Sequence, residues 1–342
     1  MKKLKTATIG LGRLGMVHTE HLAAMVNDIE LKASFALDDN QLHFAEENFG
    51  VTTYKDWKEM IDKEDLDAVI ITSPTGFHPE MTIYALEAGL HVFCEKPMGL
   101  DLTEVEKMAE VIRRHPKQIF QLGFMRRFDS SYQEAKRMVE NGELGDIIYM
   151  RGYGIDPIKN FDGFVKFASD NDSGGVFLDM CIHDIDLVRW FAGKNPVEAW
   201  AVGNTIVEPK LAEIGEYETG VATLRFDNNM VATLVGGRSA AHGNHVEFEI
   251  MGSKGWIRVG QEANPYYNTL FTSQGIVRPY MQSFPERFAE AFTAELKAFV
   301  EAVKSGSPSK TAAGVDAGIA TLKIAKACKQ SAESGKLIQL NL

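Results

Sequence analysis

The rhythm of apolar positions changes part-way along the chain. Up to about residue 123, short apolar runs alternate with amphipathic stretches. The runs are "KTATIG", "ELKASFAL", "LDAVIITSP", "LHVFCEKP" and "KQIFQLGF"; the stretches include "RLGMVHTEHLAAMV", "NQLHFAEENFG", "HPEMTIYALEAG" and "DLTEVEKMAEVIRRH". Short runs bounded by turn residues predict strands, and the amphipathic stretches predict helices. Such alternation over about 120 residues implies a doubly wound parallel sheet of the Rossmann type, whose ligands sit at the carboxyl ends of the strands.

From Phe124 onward the pattern is different. A helix "SYQEAKRMVENG" and a strand "DIIYMRGYG" precede a stretch from Asp156 to Ser173 that is expected to be irregular. Later, "TGVATLRF" and "MVATLVGG" flank Asp227-Asn228-Asn229, while "HVEFEIMG" and "GWIRVG" flank Ser253-Lys254, so both pairs predict hairpins. Successive hairpins make a large, mainly antiparallel sheet, open on one face, within an α+β domain. A second copy of the chain is the economical cover for that face, with helices near Pro285 to Lys304 and Val315 to Ser334 packing elsewhere.

One segment breaks the usual separation of apolar and polar residues. "GGVFLDMCIHDIDLVRWF", Gly174 to Phe191, is apolar around most of a helical wheel, the mark of a buried helix. At about 100° per residue, Asp179, His183 and Asp186 fall within a strip about 60° wide. Buried unpaired charge is costly, so the strip must meet a salt-bridge partner, water or a polar cavity.

Composition narrows the choices. The chain has 342 residues, 45% hydrophobic and 24% charged, with a formal net charge of -11. Length suggests two domains, divided as 1–123 and 124–342. The acidic balance argues against nucleic acid or an anionic membrane as partner, and no apolar run approaches a membrane span. Glycines and Arg13 interrupt the amino terminus before a signal-peptide core could form, and Cys94, Cys181 and Cys328 suit neither a disulfide framework nor a C-x-x-C site. A cytoplasmic location is expected.

Gly10-Leu11-Gly12-Arg13-Leu14-Gly15 places G-x-G-x-x-G at the first strand-to-helix turn, where a helix amino terminus can receive a pyrophosphate. Asp38 and Asp39 end the next strand, where an acid accepts from a ribose hydroxyl and repels a 2'-phosphate. NAD is the expected cofactor. "EKP", Glu95-Lys96-Pro97, follows another parallel strand and lies at the ligand edge. Oxidising an alcohol requires a base near neutral pKa and a cation for the forming alkoxide, tasks that suit His183 and Lys96. Asp179, one turn before His183, can orient the imidazole. A metal-dependent hydrolase built on His183, Asp179 and Asp186 lacks a second histidine at ligand spacing, and no metal is expected.

With "GLGRLG", "TSPTGFH", "EKP", "GFMRRFD" and the "GG...D-x-x-x-H" helix on one chain, the sequence resembles the glucose-fructose oxidoreductase, inositol dehydrogenase and rhizopine catabolism family over essentially its whole length. The likeness is strongest to bacterial inositol 2-dehydrogenases. It implies a catalytic triad of Lys96, Asp179 and His183. It further implies cofactor contacts at Gly10, Gly12, Arg13, Leu14, Asp38, Thr72, Ser73, Pro74, His78, Glu95 and Lys96, and polyol contacts at Arg126, or Arg127 in its place, and Asp156. An ion pair between domains is the other reading of the arginine pair. Gly154, Asp156 and Asn244 depart from the histidine, asparagine and tyrosine of typical myo-inositol enzymes, which tilts the expectation toward scyllo-inositol. The long amino-terminal arm of glucose-fructose oxidoreductase has no counterpart, so NAD should exchange freely. A homotetramer joined through the open sheet face is expected. Dehydrogenation of another cyclic sugar such as glucose, and a non-catalytic NAD-binding sensor, are the alternatives.

Overall fold

The computed structural model describes residues 3–170, 173–260 and 269–342. The chain forms two compact units, one of residues 1–128 with 290–319, the other of 129–289 with 320–342. The first break falls close to the expected 123/124 boundary. Residues 290–319, which a contiguous division gives to the second domain, cluster with the first. Leu296, Phe299 and Val300 explain this: they bury themselves against Leu4, Leu22, Ile29, Ile70 and Phe93 in one apolar core. An amphipathic pattern announces that a helix face is buried, not which core receives it.

In the first unit the strands are β1 (Leu4–Ile9), β2 (Ile29–Phe35), β3 (Thr52–Tyr54), β4 (Ala68–Ile71), β5 (His91–Glu95) and β6 (Phe120–Gly123). They form one sheet in the order β3-β2-β1-β4-β5-β6, parallel throughout. The order reverses at β1, so the turn after β1 and the loop after β4 lie at the switch point where such sheets take ligands. Helices Arg13–Ala24, Asp39–Phe49, His78–Glu87 and Leu102–Arg114 stand where the amphipathic stretches predict them. The short β3 and the helix Trp57–Lys63 add a step that the apolar runs did not signal.

The second unit contains β7 (Ile147–Pro157), β8 (Glu198–Asn204), β9 (Thr219–Arg225), β10 (Val231–Ala240), β11 (His245–Gly252) and β12 (Trp256–Val259). A small ribbon, β13 (Leu270–Thr272) with β14 (Gly275–Val277), stands apart, and β15 (Ile338–Gln339) closes one edge of the large sheet. The order is β12-β11-β7-β10-β9-β8-β15. Both expected hairpins, β9/β10 and β11/β12, are present, and the sheet is antiparallel except where β7 and β10 run side by side in parallel. Burial alternates along the strands. Ala199, Ala222, Leu234, Met150 and Phe248 are buried on one face, while Trp200, Thr223, Val235 and Tyr153 on the other are half-buried or exposed. The helix Ile182–Ala192 covers the first face, Phe191 stacking on Phe248 with ring centroids 5.4 Å apart. Two expectations need correction here. Residues 156–173 are not irregular in their described part, because β7 runs on to Pro157 and a helix spans Phe161–Asp170, its Phe161 buried. The buried segment after Gly174 is two helices, Val176–Asp179 and Ile182–Ala192, rather than one.

Candidate functional site

In the first unit the site is built largely from main chain. Gly10 has φ 103°, and a Cβ there would lie 2.8 Å from the Ser73 nitrogen. Gly15 packs so closely under the turn that a Cβ would lie 2.7 Å from Thr72 Oγ1, which itself donates to the Gly10 carbonyl at 2.7 Å. The loops after β1 and β4 are thus joined at the switch point. Helix Arg13–Ala24 begins at Gly12 with no side-chain cap and no acid in its first turn, and the space beside Gly12 is open. Uncapped N–H groups at a helix start facing open space fit the diphosphate of a dinucleotide. Arg13 is exposed and Leu14 half-buried at the same turn.

Asp38 follows β2 and caps the helix Asp39–Phe49, its Oδ1 accepting from Asn40 N (2.7 Å) and Gln41 N (3.3 Å). Both bonds fall on one oxygen, so Oδ2 can accept from a ribose hydroxyl. Asp39 pairs instead with Lys55 at 2.5 Å. Past β4, Thr72, Ser73 and Pro74 form the loop before a short turn of helix at Thr75–Phe77. His78 is buried, with Nδ1 2.7 Å from the Pro97 carbonyl and Nε2 2.8 Å from that of Ser73. Burial pushes its pKa below the usual histidine value. Both partners are acceptors, so a neutral ring donates to one of them and a charged ring to both. The Glu95 carboxylate is committed as well: Oε1 meets His18 Nε2 at 2.6 Å and Oε2 accepts the Lys96 N–H at 3.0 Å. His78 and Glu95 therefore hold the loop backbone, and Lys96 is the half-buried cation of the "EKP" turn. Arg126 and Arg127 are both buried in the short turn Met125–Phe128. Arg127 Nη1 donates to the carbonyls of Thr311 (3.3 Å) and Ala312 (3.5 Å) in the returning segment, a structural duty.

In the second unit the site is built from side chains. Asp179 ends the first of the two helices, and His183 lies in the first turn of the next, so the polar residues straddle a break at Met180-Cys181. The expected single strip is corrected to that extent, while His183 and Asp186 still share a helix face by their i, i+3 spacing. His183 is buried (8% exposed) and Asp179 stands at the edge of solvent. Asp179 Oδ2 accepts from Arg238 Nη2 at 2.9 Å. Arg238, on β10, is buried, with its guanidinium carbon 3.4 Å from the centre of the Phe164 ring. Sequence reasoning missed Arg238, which lies 59 residues further along the chain. Asp184 is buried too, and Gly152 on β7 makes room for it, since a Cβ there would lie 2.6 Å from Asp184 Oδ1. Elsewhere in this unit Asn244 Nδ2 donates to Asp156 Oδ1 at 3.2 Å, bringing together two of the residues singled out for specificity. Among the described residues no cluster of three or more His, Cys, Asp or Glu is arranged to hold a metal ion, and no helix is long and apolar enough to cross a membrane.

Residues 4–124 match the model of an oxidoreductase family with an NAD-binding Rossmann fold, and residues 132–258 match the GFO/IDH/MocA C-terminal domain. Myo-inositol 2-dehydrogenase of Thermotoga maritima is 34% identical over 339 residues, 98% of each chain. The chain belongs to the GFO/IDH/MocA oxidoreductases. Among characterised folds of that family, a myo-inositol 2-dehydrogenase from Lactobacillus plantarum is 56% identical with a TM-score of 0.97, covering 99% of this chain and 100% of that one. The scyllo-inositol dehydrogenase of Lactobacillus casei, solved with NAD(H) and scyllo-inositol, is 43% identical with a TM-score of 0.95, covering 99% of both. As a member of the family, the chain carries its NAD-binding Rossmann domain at the amino terminus and the family's second domain after it.

Proposed function

We propose that this GFO/IDH/MocA oxidoreductase is an NAD-dependent inositol dehydrogenase that oxidises one secondary ring hydroxyl to the ketone. The observation that carries the reading is the buried His183, four residues after an Asp179 held by Arg238, acid–base groups set in an apolar segment in a family of NAD oxidoreductases. NAD, when bound, supplies the hydride acceptor. The first helix turn (Gly10, Gly12, Arg13 and Leu14) and the loop Thr72, Ser73 and Pro74 bind it, and Asp38 takes the adenosine ribose. His78 and Glu95 serve it indirectly, through the backbone they anchor.

His183 receives the hydroxyl proton, a neutral imidazole being the side chain best matched to that task near pH 7. The Lys96 ammonium stabilises the negative charge that develops on the oxygen. Asp179 orients the imidazole and stabilises it once charged, while Arg126 and Asp156 contact the remaining hydroxyls. A site that pairs each hydroxyl rejects substrates lacking one, so deoxy analogues and short linear alcohols should lose orders of magnitude in kcat/KM. NADH formation with scyllo-inositol, myo-inositol, D-glucose and a linear pentitol tests the reading. Activity confined to the linear alcohol would overturn it. The scyllo preference rests on Gly154, Asp156 and Asn244, and the L. plantarum relative bears the myo name; the ratio of the two inositol rates decides it.

We also infer a homotetramer joined through the open face of the second unit's sheet. Trp200, Val202 and Trp256 are exposed there, and Val202 is in register with half-buried Val221, Val235 and Tyr153 on successive strands. Sedimentation of the wild-type protein and of Trp200→Asp tests it; a monomeric wild type would overturn it. A cytoplasmic location accords with three buried, unpaired cysteines.

A further inference from the structure

The proposed reaction gives Glu95 a bracing role but leaves its buried partner in the first unit, His18, without a task. His18 has no solvent exposure and Glu95 is 5% exposed, with Nε2 2.6 Å from Oε1. The imidazole lies between Phe93 and Phe292, edge-on to each at centroid distances of 5.3 and 5.4 Å. An apolar side chain would fill that space at less cost, because burying polar groups is unfavourable unless they are bonded. What the imidazole adds is a partner for the carboxylate. On the opposite side β6 accommodates the carboxylate at Gly123, where a Cβ would lie 3.0 Å from it. The second carboxylate oxygen accepts the Lys96 N–H at 3.0 Å. His18 itself belongs to the helix that opens at the Gly12 turn, and the next residue, Thr19, bonds back to the Gly15 carbonyl at 2.7 Å.

A continuous chain of bonds therefore runs from the dinucleotide helix through His18 and Glu95 to the main chain of Lys96. We propose that His18 is a positioning residue for Lys96, fixing the lysine backbone relative to the helix at whose start NAD binds. The inference rests on the role given to Lys96 above. Without His18, Glu95 loses one of its two bonds, and its hold on the Lys96 N–H loosens.

The test compares His18→Phe, which keeps the packing, with His18→Gln, whose side-chain amide falls near the imidazole Nε2 and can still donate. Three quantities are read on the intact protein: kcat and KM, the Kd for NAD by fluorescence, and the rate at which an amine-reactive reagent labels Lys96, followed by peptide mass spectrometry. In His18→Phe, kcat should fall at least about tenfold, the scale of one charge-assisted hydrogen bond. Lys96 labelling should change at least about threefold while NAD affinity changes less than that, and His18→Gln should restore both toward wild type. Wild-type turnover and labelling in His18→Phe, or equal impairment of both variants, would overturn the proposal. If His18→Phe does not fold, His18→Asn replaces it, because its shorter amide does not reach Glu95; equal behaviour of Asn and Gln variants is then the overturning result. A wild type that oxidises no inositol refutes the proposed reaction, while the Lys96 labelling still decides the role of His18.

Discussion

The two units hold polar groups in place by different means. In the first, the ligand edge is mostly backbone: uncapped N–H groups, glycines that let two loops touch, and side chains such as His78 and Glu95 that brace the loops. In the second, the candidate acid–base side chains lie in an apolar helix pair, and one of them is held from far along the chain; Asp179 and Arg238 are 59 residues apart. A backbone site is insensitive to most side-chain changes and sensitive to a Cβ, whereas a side-chain site behaves the opposite way. Binding of NAD and chemistry on the alcohol should therefore separate under mutation.

The strongest break in that contrast comes from the second unit. His183→Ala should lower kcat by about 10² to 10⁴, the usual contribution of a general base, with the Kd for NAD nearly unchanged. Lys96→Ala, although in the first unit, should act similarly on kcat, because the role proposed for it is a side chain's. Steady-state rates set beside a fluorescence titration with NAD make the comparison. If His183→Ala turned over normally, the proton acceptor would lie elsewhere. Next in size is Arg238→Gln, which strips Asp179 of a buried charged donor. Loss of such a bond, about 1.5–3 kcal/mol, predicts a fall in kcat/KM of about 10- to 100-fold, again with NAD binding intact. An equal loss of NAD affinity would count against separate sites.

The same contrast explains what could be read before the fold was known. The parallel sheet, the Gly10–Gly15 turn, Asp38 and the "EKP" edge were legible because backbone sites need fixed residues at short, fixed spacing. Asp179 and His183 stood out as polar residues in an apolar segment, an energetic anomaly visible in one dimension. Their partners were not legible. Arg238 is one polar position among many on an alternating strand, and only the register of β10 against its neighbours brings it to Asp179. Nor could the wheel show that the segment breaks at Met180-Cys181, because an apolar run carries no mark of where its helix stops. His18 was hidden differently, since one histidine in an amphipathic helix resembles any other until its partner is known.

A smaller effect is expected at Asp38, which the proposed function sets on the adenosine ribose. Asp38→Ser keeps a helix cap, so stability should change by only a few tenths of a kcal/mol. It removes the charge that favours ribose hydroxyls over a 2'-phosphate, and the preference for NAD over NADP should fall about tenfold. The ratio of kcat/KM for the two cofactors measures it. A wild type that used NADP as well as NAD would refute the role of Asp38.

The smallest effect tests whether His78 braces the first unit as a neutral ring. Burial lowers its folded-state pKa, so below the ordinary histidine value of about 6.5 the unfolded chain takes up a proton that the folded chain refuses. The stability tied to this group is complete above that pH and declines as the pH falls toward the lowered folded value. One proton bounds the slope at about 1.4 kcal/mol per pH unit. His21, His91 and His245 are shifted in the same direction by burial, so the wild-type decline exceeds the share of a single group. His78→Gln keeps one donor for the Ser73 or Pro97 carbonyl and removes the titration. Urea unfolding at pH 8 and pH 5.5 should therefore show a smaller loss of stability in the variant than in the wild type. Equal losses would mean that His78 is protonated in the folded protein and donates to both carbonyls, making the brace an ionic one.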